Sequence, residues 1–518
     1  MRRYQSFGFA LLALLGIPGA HAASYWLYHY QNIEVIATRA RDAKQIAHNL
    51  HRVDVAAGKL MRSLDPLRPP TYVYALSASQ LHDLVPGDAI GSQFWTNGTD
   101  NYVLMDDSLT GSAHFWSAYF GYGGSLLLSS NTLRYPPWFV LGFSELVAGS
   151  GVGEKQVVFG GVNPGIAHGL LTGKLLPLQV LLALERGDAQ LKSESVRNTY
   201  EAECWFLVHQ ILLDGFHREE FEQYLQLTGQ GRDPAEAFAA SFKESYDAVD
   251  ADLHKAIALG SVHTAELPVP DQPDAVEPRR LSDAEAQGRL ALLELSQGSS
   301  NRREIARRLA TKALATEPAN EYALRALTLV QLREEQFAAA RDSAERLRAL
   351  PSPSAAAFRD LGRVFSALAR PRASQQLTGV DAGALRQQAI ADLMHAIQLE
   401  GDNPDDWVAL LNVLVDTRDP KLAAQYLPRA EQGFYLHAHN AGFAFELARL
   451  YAAIGDYDNA FKFAVAWRNN ALTVQNRDQA IAFMSRAKMQ ADLQHAAASA
   501  STASPAAPAA PAAATGAK

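Results

Sequence analysis

Few groups in this chain are suited to chemistry, and their spacing does not assemble them. His114, His168 and His209 sit among apolar neighbours. A zinc-binding helix needs His at i and i+4 on one face with a Glu between them, H-E-x-x-H. That pattern occurs nowhere in the chain, and His114 has no His four residues on. Ser125, Ser129 and Ser130 lie in no G-x-S-x-G elbow, so no activated serine is indicated. The single cysteine, Cys204, lies in the apolar run Cys204-Trp205-Phe206-Leu207-Val208, the setting of a buried, inert thiol. One cysteine also excludes an internal disulfide and a Cys-rich zinc site. Gly121-Tyr122-Gly123-Gly124 lacks the further Gly and the preceding strand of a dinucleotide loop, and no Walker pattern is present. Asp106 and Asp107 follow a strand and read as a solvated loop pair rather than a catalytic dyad.

The elements that would position these groups begin with Ile33-Glu34-Val35-Ile36-Ala37, a short β-branched run. Ala43, Ile46, Ala47, Leu50, Val53 and Leu60 recur near period 3.6, which predicts a helix from about Ala40 to Leu64. Pro66, Pro69 and Pro70 stop it. Thr71 to Leu76 reads as a second strand, and Ser77 caps a short helix through Leu84. Phe94-Trp95 and Tyr102 to Met105 flank the turn signal Asn97-Gly98-Thr99-Asp100, which predicts a hairpin or two adjacent strands. Asn97-Gly98-Thr99 also matches a glycosylation acceptor and is read here as a turn.

Two helices should follow, one ending in Leu126-Leu127 and one opened by Pro137. The second reads Pro137-Trp138-Phe139-Val140-Leu141-Gly142-Phe143-Ser144-Glu145. It resembles the W-L-x-E-G-x-A-E segment of gluzincin (peptidase-MA-like) metallopeptidases at Trp138, Gly142, the small Ser144 and Glu145. Tyr200 to His209 resembles the Y-A-x-x-W-x-L-V-H helix of that family, and Asp233 to Leu253 its closing segment. The resemblance spans roughly Ile33 to Ile257 and implies an α+β zincin-like domain. In such a domain the third zinc ligand would stand at Leu141. The H-E-x-x-H would align with Phe120-Gly121-Tyr122-Gly123-Gly124. Phe120, Gly124 and Leu141 thus replace the three ligands, and Gly121 replaces the general base. The expectation is no catalytic residue, metal or cofactor, with Trp138, Gly142 and Glu145 kept as structural marks. Three glycines in one helical turn cost about 0.8–1.0 kcal/mol each relative to Ala. They imply either close backbone approach or an irregular helix, with Phe120, Tyr122 and Leu141 filling the former site.

From about Leu281 the pattern becomes helix after helix. Pro318 to Pro351 is one step of 33 residues. Pro353 to Pro404 is a 34-residue step plus an insertion around Pro371 to Gly383. Phe443 to Ala452 followed by Gly455-Asp456-Tyr457-Asp458-Asn459-Ala460-Phe461 resembles a tetratricopeptide (TPR) unit, and Glu335 to Ala340 a weaker copy of its turn. Four or five units make an all-α solenoid whose groove would take a protein or peptide, though no groove residue stands out in sequence.

Arg2-Arg3, an apolar stretch from Phe7 to Ile17 and Ala20-His21-Ala22 read as a signal peptide cleaved after Ala22. The Ala-, Leu- and Arg-rich composition suggests a bacterial chain, so export would mean the periplasm or beyond. The expected organisation is residues 1–22 signal peptide, 23–265 degenerate gluzincin-like domain and 266–280 linker. Residues 281–495 would form the TPR-like repeats and 496–518 a disordered Ala/Pro-rich tail. A net charge of −8 and the lack of any Lys/Arg run argue against nucleic acid, and no other segment is apolar enough to span a membrane. The function these readings imply is an exported, non-catalytic pseudopeptidase/TPR scaffold that binds a protein or peptide. The alternative is a metallopeptidase-family hydrolase with a rearranged zinc site.

Overall fold

Trp26–Tyr30 (β1), Ile33–Ala37 (β2), Thr71–Leu76 (β3), Ser92–Thr96 (β4) and Asn101–Asp106 (β5) are the first strands. Successive residues of a strand face opposite sides of its sheet. Ile33, Val35, Ala37, Val73, Ala75, Val103 and Met105 enter one apolar cluster, while Ile36, Tyr74, Leu76 and Leu104 enter another. Both faces of the sheet are therefore covered. The structure, a computed structural model, describes residues 24–502 except 62, 63, 65–69, 85–91, 97–99, 108–111, 129–133, 185–187, 261, 271–275, 298, 402, 439, 472 and 473. The expected signal peptide and the Asn97-Gly98-Thr99 turn lie outside the described residues.

Helix α1 (Ala40–Leu60) crosses from β2 to β3, and α2 (Ala78–Leu84) leads to the β4–β5 hairpin. Then come α3 (Ser112–Leu128), α4 (Pro137–Ala148), β6 (Gly151–Val152) and β7 (Gln156–Phe159). They are followed by α5 (Pro164–Thr172), α6 (Leu178–Ala183), α7 (Glu194–His209), α8 (Arg218–Gly229), α9 (Pro234–Ser241) and α10 (Tyr246–Leu259). Helix α7 runs on through a π-helical turn, Gln210–Asp214, which Gly215 ends at a φ of 75°. Two short strands, β8 (Ala265–Pro268) and β9 (Arg279–Arg280), precede the helical array. The main sheet has the order β4-β5-β3-β2-β1-β9, with β2, β3 and β5 mutually parallel and β4 antiparallel at one edge. Strands β6, β7 and β8 make a second, antiparallel sheet.

The stretch 266–280, expected as a linker, begins in one sheet and ends in the other. β8 pairs with β7, β9 pairs with β1, and the Leu281 amide donates to the Tyr25 carbonyl at 2.9 Å. Helix α11 (Asp283–Ser296) then lies on the second face of the main sheet, where Leu281, Ala286, Leu290 and Leu293 meet Ile36, Tyr74, Leu76 and Leu104. Each large aliphatic side chain buried there contributes roughly 1.5–3 kcal/mol. Arg289 of α11 pairs with Glu34 of β2 at 2.5 Å, and Trp95 Nε1 donates to Ser296 Oγ at 2.9 Å. The two halves are thus joined by a packed face.

The array continues with α12 (Ser300–Thr316), α13 (Glu321–Arg333), α14 (Phe337–Arg348), α15 (Ala355–Leu368), α16 (Pro371–Ser374) and α17 (Ala382–Glu400). Helices α18 (Pro404–Thr417), α19 (Pro420–Leu436), α20 (Ala441–Ala453), α21 (Tyr457–Asn470) and α22 (Val474–Thr502) complete it. Neighbouring helices pack as the pairs α11/α12, α13/α14, α15/α17, α18/α19 and α20/α21, with α22 closing the end against α21. Glu321 to Ala355 is a step of 34 residues and Ala441 to Val474 one of 33, as the proline punctuation predicts. The insertion holds α16 and lies inside one pair, between α15 and α17. Glu335, Arg418 and Gly455 occupy the same place between paired helices, at φ values of 61°, 52° and 86°. A left-handed residue there is the turn that the Gly455 copy announces and that the Glu335 copy conceals. The array is a helical repeat of the TPR kind. Its last helix runs to Thr502, so residues 496–502 are helical where an unstructured tail is expected; alanine, the strongest helix former, explains it. Residues 503–518 lie outside those described.

Candidate functional site

Helices α3 and α4 pack side by side, and glycine sets their approach. A Cβ on Gly123 would lie 2.8 Å from Val147 Cβ, and one on Gly124 2.8 Å from Ser144 Oγ. On another side of α3, a Cβ on Gly121 would lie 2.4 Å from Phe94 Cβ and Cγ on the edge strand β4. Helix α4 meets α7 in the same way, since a Cβ on Gly142 would lie 2.1 Å from the Cys204 carbonyl oxygen. Of the two meanings that the glycines carry in sequence, close approach is the one realised, and α3 is a regular helix from Ser112 to Leu128.

Phe120, Gly124 and Leu141, which the gluzincin resemblance would set at zinc-ligand positions, carry no metal-binding side-chain atom. Phe120 is half-buried and stacks on Trp116 at 5.2 Å, and Leu141 is half-buried against the main core. Tyr122 is the fully buried aromatic of this turn. Trp138 is fully buried and makes edge contacts with Phe139 at 5.4 Å and Phe221 at 6.0 Å. Glu145 is 6% exposed, and its Oε2 has no hydrogen-bond partner. Burial, then the charge of Glu201, pushes its carboxyl up to about 8.

The remaining sequence candidates have structural roles. His209 is buried, with Nε2 2.8 Å from the His263 carbonyl and Nδ1 3.2 Å from Asp214 Oδ2; burial pushes its pKa down. Asp214 also meets His263 Nδ1 at 2.5 Å, so this group ties the π-helical turn to the approach of β8. His168 is exposed on α5, and His114 lies in the first turn of α3. Cys204 is buried, and its thiol pKa is pushed up by burial, the opposite of activation. Asp106 and Asp107, expected as a solvated pair, instead close the end of the sheet. Asp106 is buried, and Asp107 accepts from Thr38 Oγ1 while its carbonyl accepts from Arg39 Nη2 at 3.1 Å.

Two features were missed in sequence. The first is a group of His217, Glu244 and Asp252, whose potential ligand atoms all lie within 4.8 Å of one another. Among the described residues it is the cluster that could hold a metal, and it sits on the α8–α10 segment. His217 precedes α8, Glu244 lies between α9 and α10, and Asp252 lies within α10, so no local motif marks them. The second is a charge ladder along the repeats. Arg325 Nε meets Asp360 Oδ2 at 2.7 Å, while Arg359 meets both Asp406 and Glu400, the latter at 2.5 Å. Arg325 and Arg359 are each the fifth residue of their helices, so superposing the 34-residue units would have found them.

Two cavities open on this framework. One, of ≈ 1370 Å³, lies where Leu60, Tyr135, Phe139 and Leu225 of the first half face Asn469 and Asn470 at the end of α21. The other, of ≈ 920 Å³, lies within the last repeats.

No protein-family model matches the chain, and no curated protein is a significant match. Among solved structures, it is similar to TTC0263, a thermophilic TPR protein of Thermus thermophilus. The identity is 19% over 39% of this chain and 98% of that one, with a TM-score of 0.31. It is also similar to yeast Tom70, at 15% identity over 63% of this chain and 69% of that one, with a TM-score of 0.25. The repeat architecture itself rests on the helix pairing, the 33- and 34-residue steps and the shared left-handed turn.

Proposed function

We propose that this protein is an exported, non-catalytic scaffold: a gluzincin-like domain without its metal site, fused to TPR-like repeats that bind a protein or peptide in the cell envelope. The observation that carries the reading is the chemistry of the α3–α4 crossing. Phe120, Gly121, Gly124 and Leu141 stand where three ligands and a base would be needed, and the glycines serve helix packing instead. The parallel strands, the antiparallel edge strand β4 and the helix beneath it are consistent with a zincin-like ancestry. Among the described residues no helix is long and apolar enough to cross a membrane. Binding then falls to the repeats, because stacked helix pairs present an extended surface.

Photo-crosslinking tests this in cells. A photoreactive residue at Asn412, on the side of α18 that meets Arg370, should give discrete adducts in the envelope fraction. One at Asp342, exposed on α14, should give few. Equal yields from both, or none at Asn412, would count against a binding groove.

The rearranged-hydrolase reading has one observation in its favour, the His217, Glu244 and Asp252 group. It would place a metal on the α8–α10 segment and is separable by mutation of His217.

A further inference from the structure

The ≈ 920 Å³ cavity lies at the C-terminal ends of α15, α18 and α20 and is closed by α22. Arg370, Arg386, Arg418, Arg449 and Arg486 line it, against Asp416 alone among acids. In a chain of net charge −8, five arginines around one cavity are a local reversal of sign. Part of that charge is neutralised internally. Arg370 Nε lies 3.4 Å from Asp416 Oδ2, and Arg449 holds the buried Glu446 at 2.7 Å. Among the described residues, no carboxylate pairs with Arg386, Arg418 or Arg486. The three helix ends supply roughly −0.5 of a charge each, too little to offset three guanidinium groups. A net excess of about one to two positive charges remains.

The apolar part of the lining selects among anions. Val415, Ala452, Tyr457 and Phe483 lie between the arginines, with Tyr457 and Phe483 half-buried. A free phosphate would leave them unused, whereas a peptide carrying both carboxylates and apolar side chains would cover them. Arginine's planar fork pairs with carboxylates bidentately. Residues 496–518 of this chain contain no Asp or Glu, so they do not supply the complement. We propose that the cavity binds an acidic peptide segment of a partner protein. Its Asp or Glu side chains meet Arg386, Arg418 and Arg486, and an aromatic or aliphatic residue rests on Tyr457 and Phe483. This deepens, and depends on, the assignment of binding to the repeats.

The test is fluorescence anisotropy on the full chain with a labelled octapeptide, Glu-Glu-Phe-Glu-Asp-Leu-Glu-Glu. Comparison probes are the same peptide with every acid changed to its amide and a single-stranded oligodeoxynucleotide. The acidic peptide should bind, weaken with salt, and lose about tenfold or more in affinity in the Arg418→Glu/Arg486→Glu variant. Both residues are exposed, and an unchanged melting temperature verifies folding. No binding of the acidic peptide, equal binding of the amide form, or unchanged affinity in the variant would overturn the proposal. So would tighter binding of the oligonucleotide. Crosslinks from Asn412 that persist despite such a result would leave the scaffold reading standing and remove only the acidic ligand.

Discussion

Gly121 of α3 and Phe94 of β4 are in contact so close that no side chain fits between them: a Cβ at 121 would lie 2.4 Å from the Phe94 side chain. Position 121, where the proposed gluzincin reading would set a general base, is therefore taken up by the packing of the sheet edge.

Rebuilding the ligands should consequently fail. The set Phe120→His, Gly121→Glu, Gly124→His and Leu141→Glu supplies every group on paper. Yet Cβ atoms at 121 and 124 collide with Phe94 and Ser144. Gly121→Ala alone should destabilise the protein by about 1–3 kcal/mol in urea denaturation, the usual effect of overpacking. The fourfold variant should be less stable still and hold no zinc. A well-folded variant with bound metal would show that the crossing can relax.

Glu145 gives a pH signature. Its carboxyl is raised from an ordinary 4.5 to about 8, so between those values the folded chain keeps a proton that the unfolded chain has released. Stability from this group is full below pH 4.5 and falls as pH rises towards 8. Glu145→Gln should be more stable than wild type at about pH 8, by on the order of a few kcal/mol, with the difference shrinking towards about pH 5. Glu203 and Glu294 are pushed up to about 7, chiefly by burial, and act in the same direction, so the comparison must be wild type against variant across pH. Equal slopes for the two proteins would mean that Glu145 is ionised in the fold.

Docking of α11 on the sheet predicts that the halves depend on each other. Arg289→Ala leaves Glu34 without its 2.5 Å partner and should cost about 3 kcal/mol, as breaking a buried pair does. A fragment of residues 281–495 would expose Leu290 and Leu293, bind a hydrophobic dye and self-associate. Changing both leucines to Gln should relieve this. A wild-type fragment that is monomeric and dye-free would show the contact to be dispensable.

Export remains a sequence-based proposal with a direct check. Terminal sequencing of the mature protein should begin at Ala23, and a product that retains Met1 would remove the periplasmic reading.

Legibility in the sequence followed how locally each feature is encoded. β2, β3 and the helix behind Ser77 were readable because β-branched runs and a cap mark them without help from distant residues; the Gln80 backbone N–H donates to Ser77 Oγ at 3.4 Å. β8 and β9 were not readable, because strands of four and two residues take their structure from β7 and β1 rather than from a pattern of their own. The α3–α4 helices were anticipated from Trp138 and Pro137, and their glycines as a choice between two meanings. What the sequence could not show was which side each glycine faces. The arginine cavity was hidden for a related reason: its residues come from α17, α22 and the ends of three first helices, brought together only by the superhelix.

The central claim, that the first domain holds no catalytic metal, is tested most directly by elemental analysis of the purified full chain after zinc loading and dialysis, with His217→Ala alongside. Any zinc in the wild type should be substoichiometric or vanish in His217→Ala, placing it at the α8–α10 cluster. About one tightly held zinc per chain, the stoichiometry of a catalytic site, that persists in His217→Ala would contradict the account.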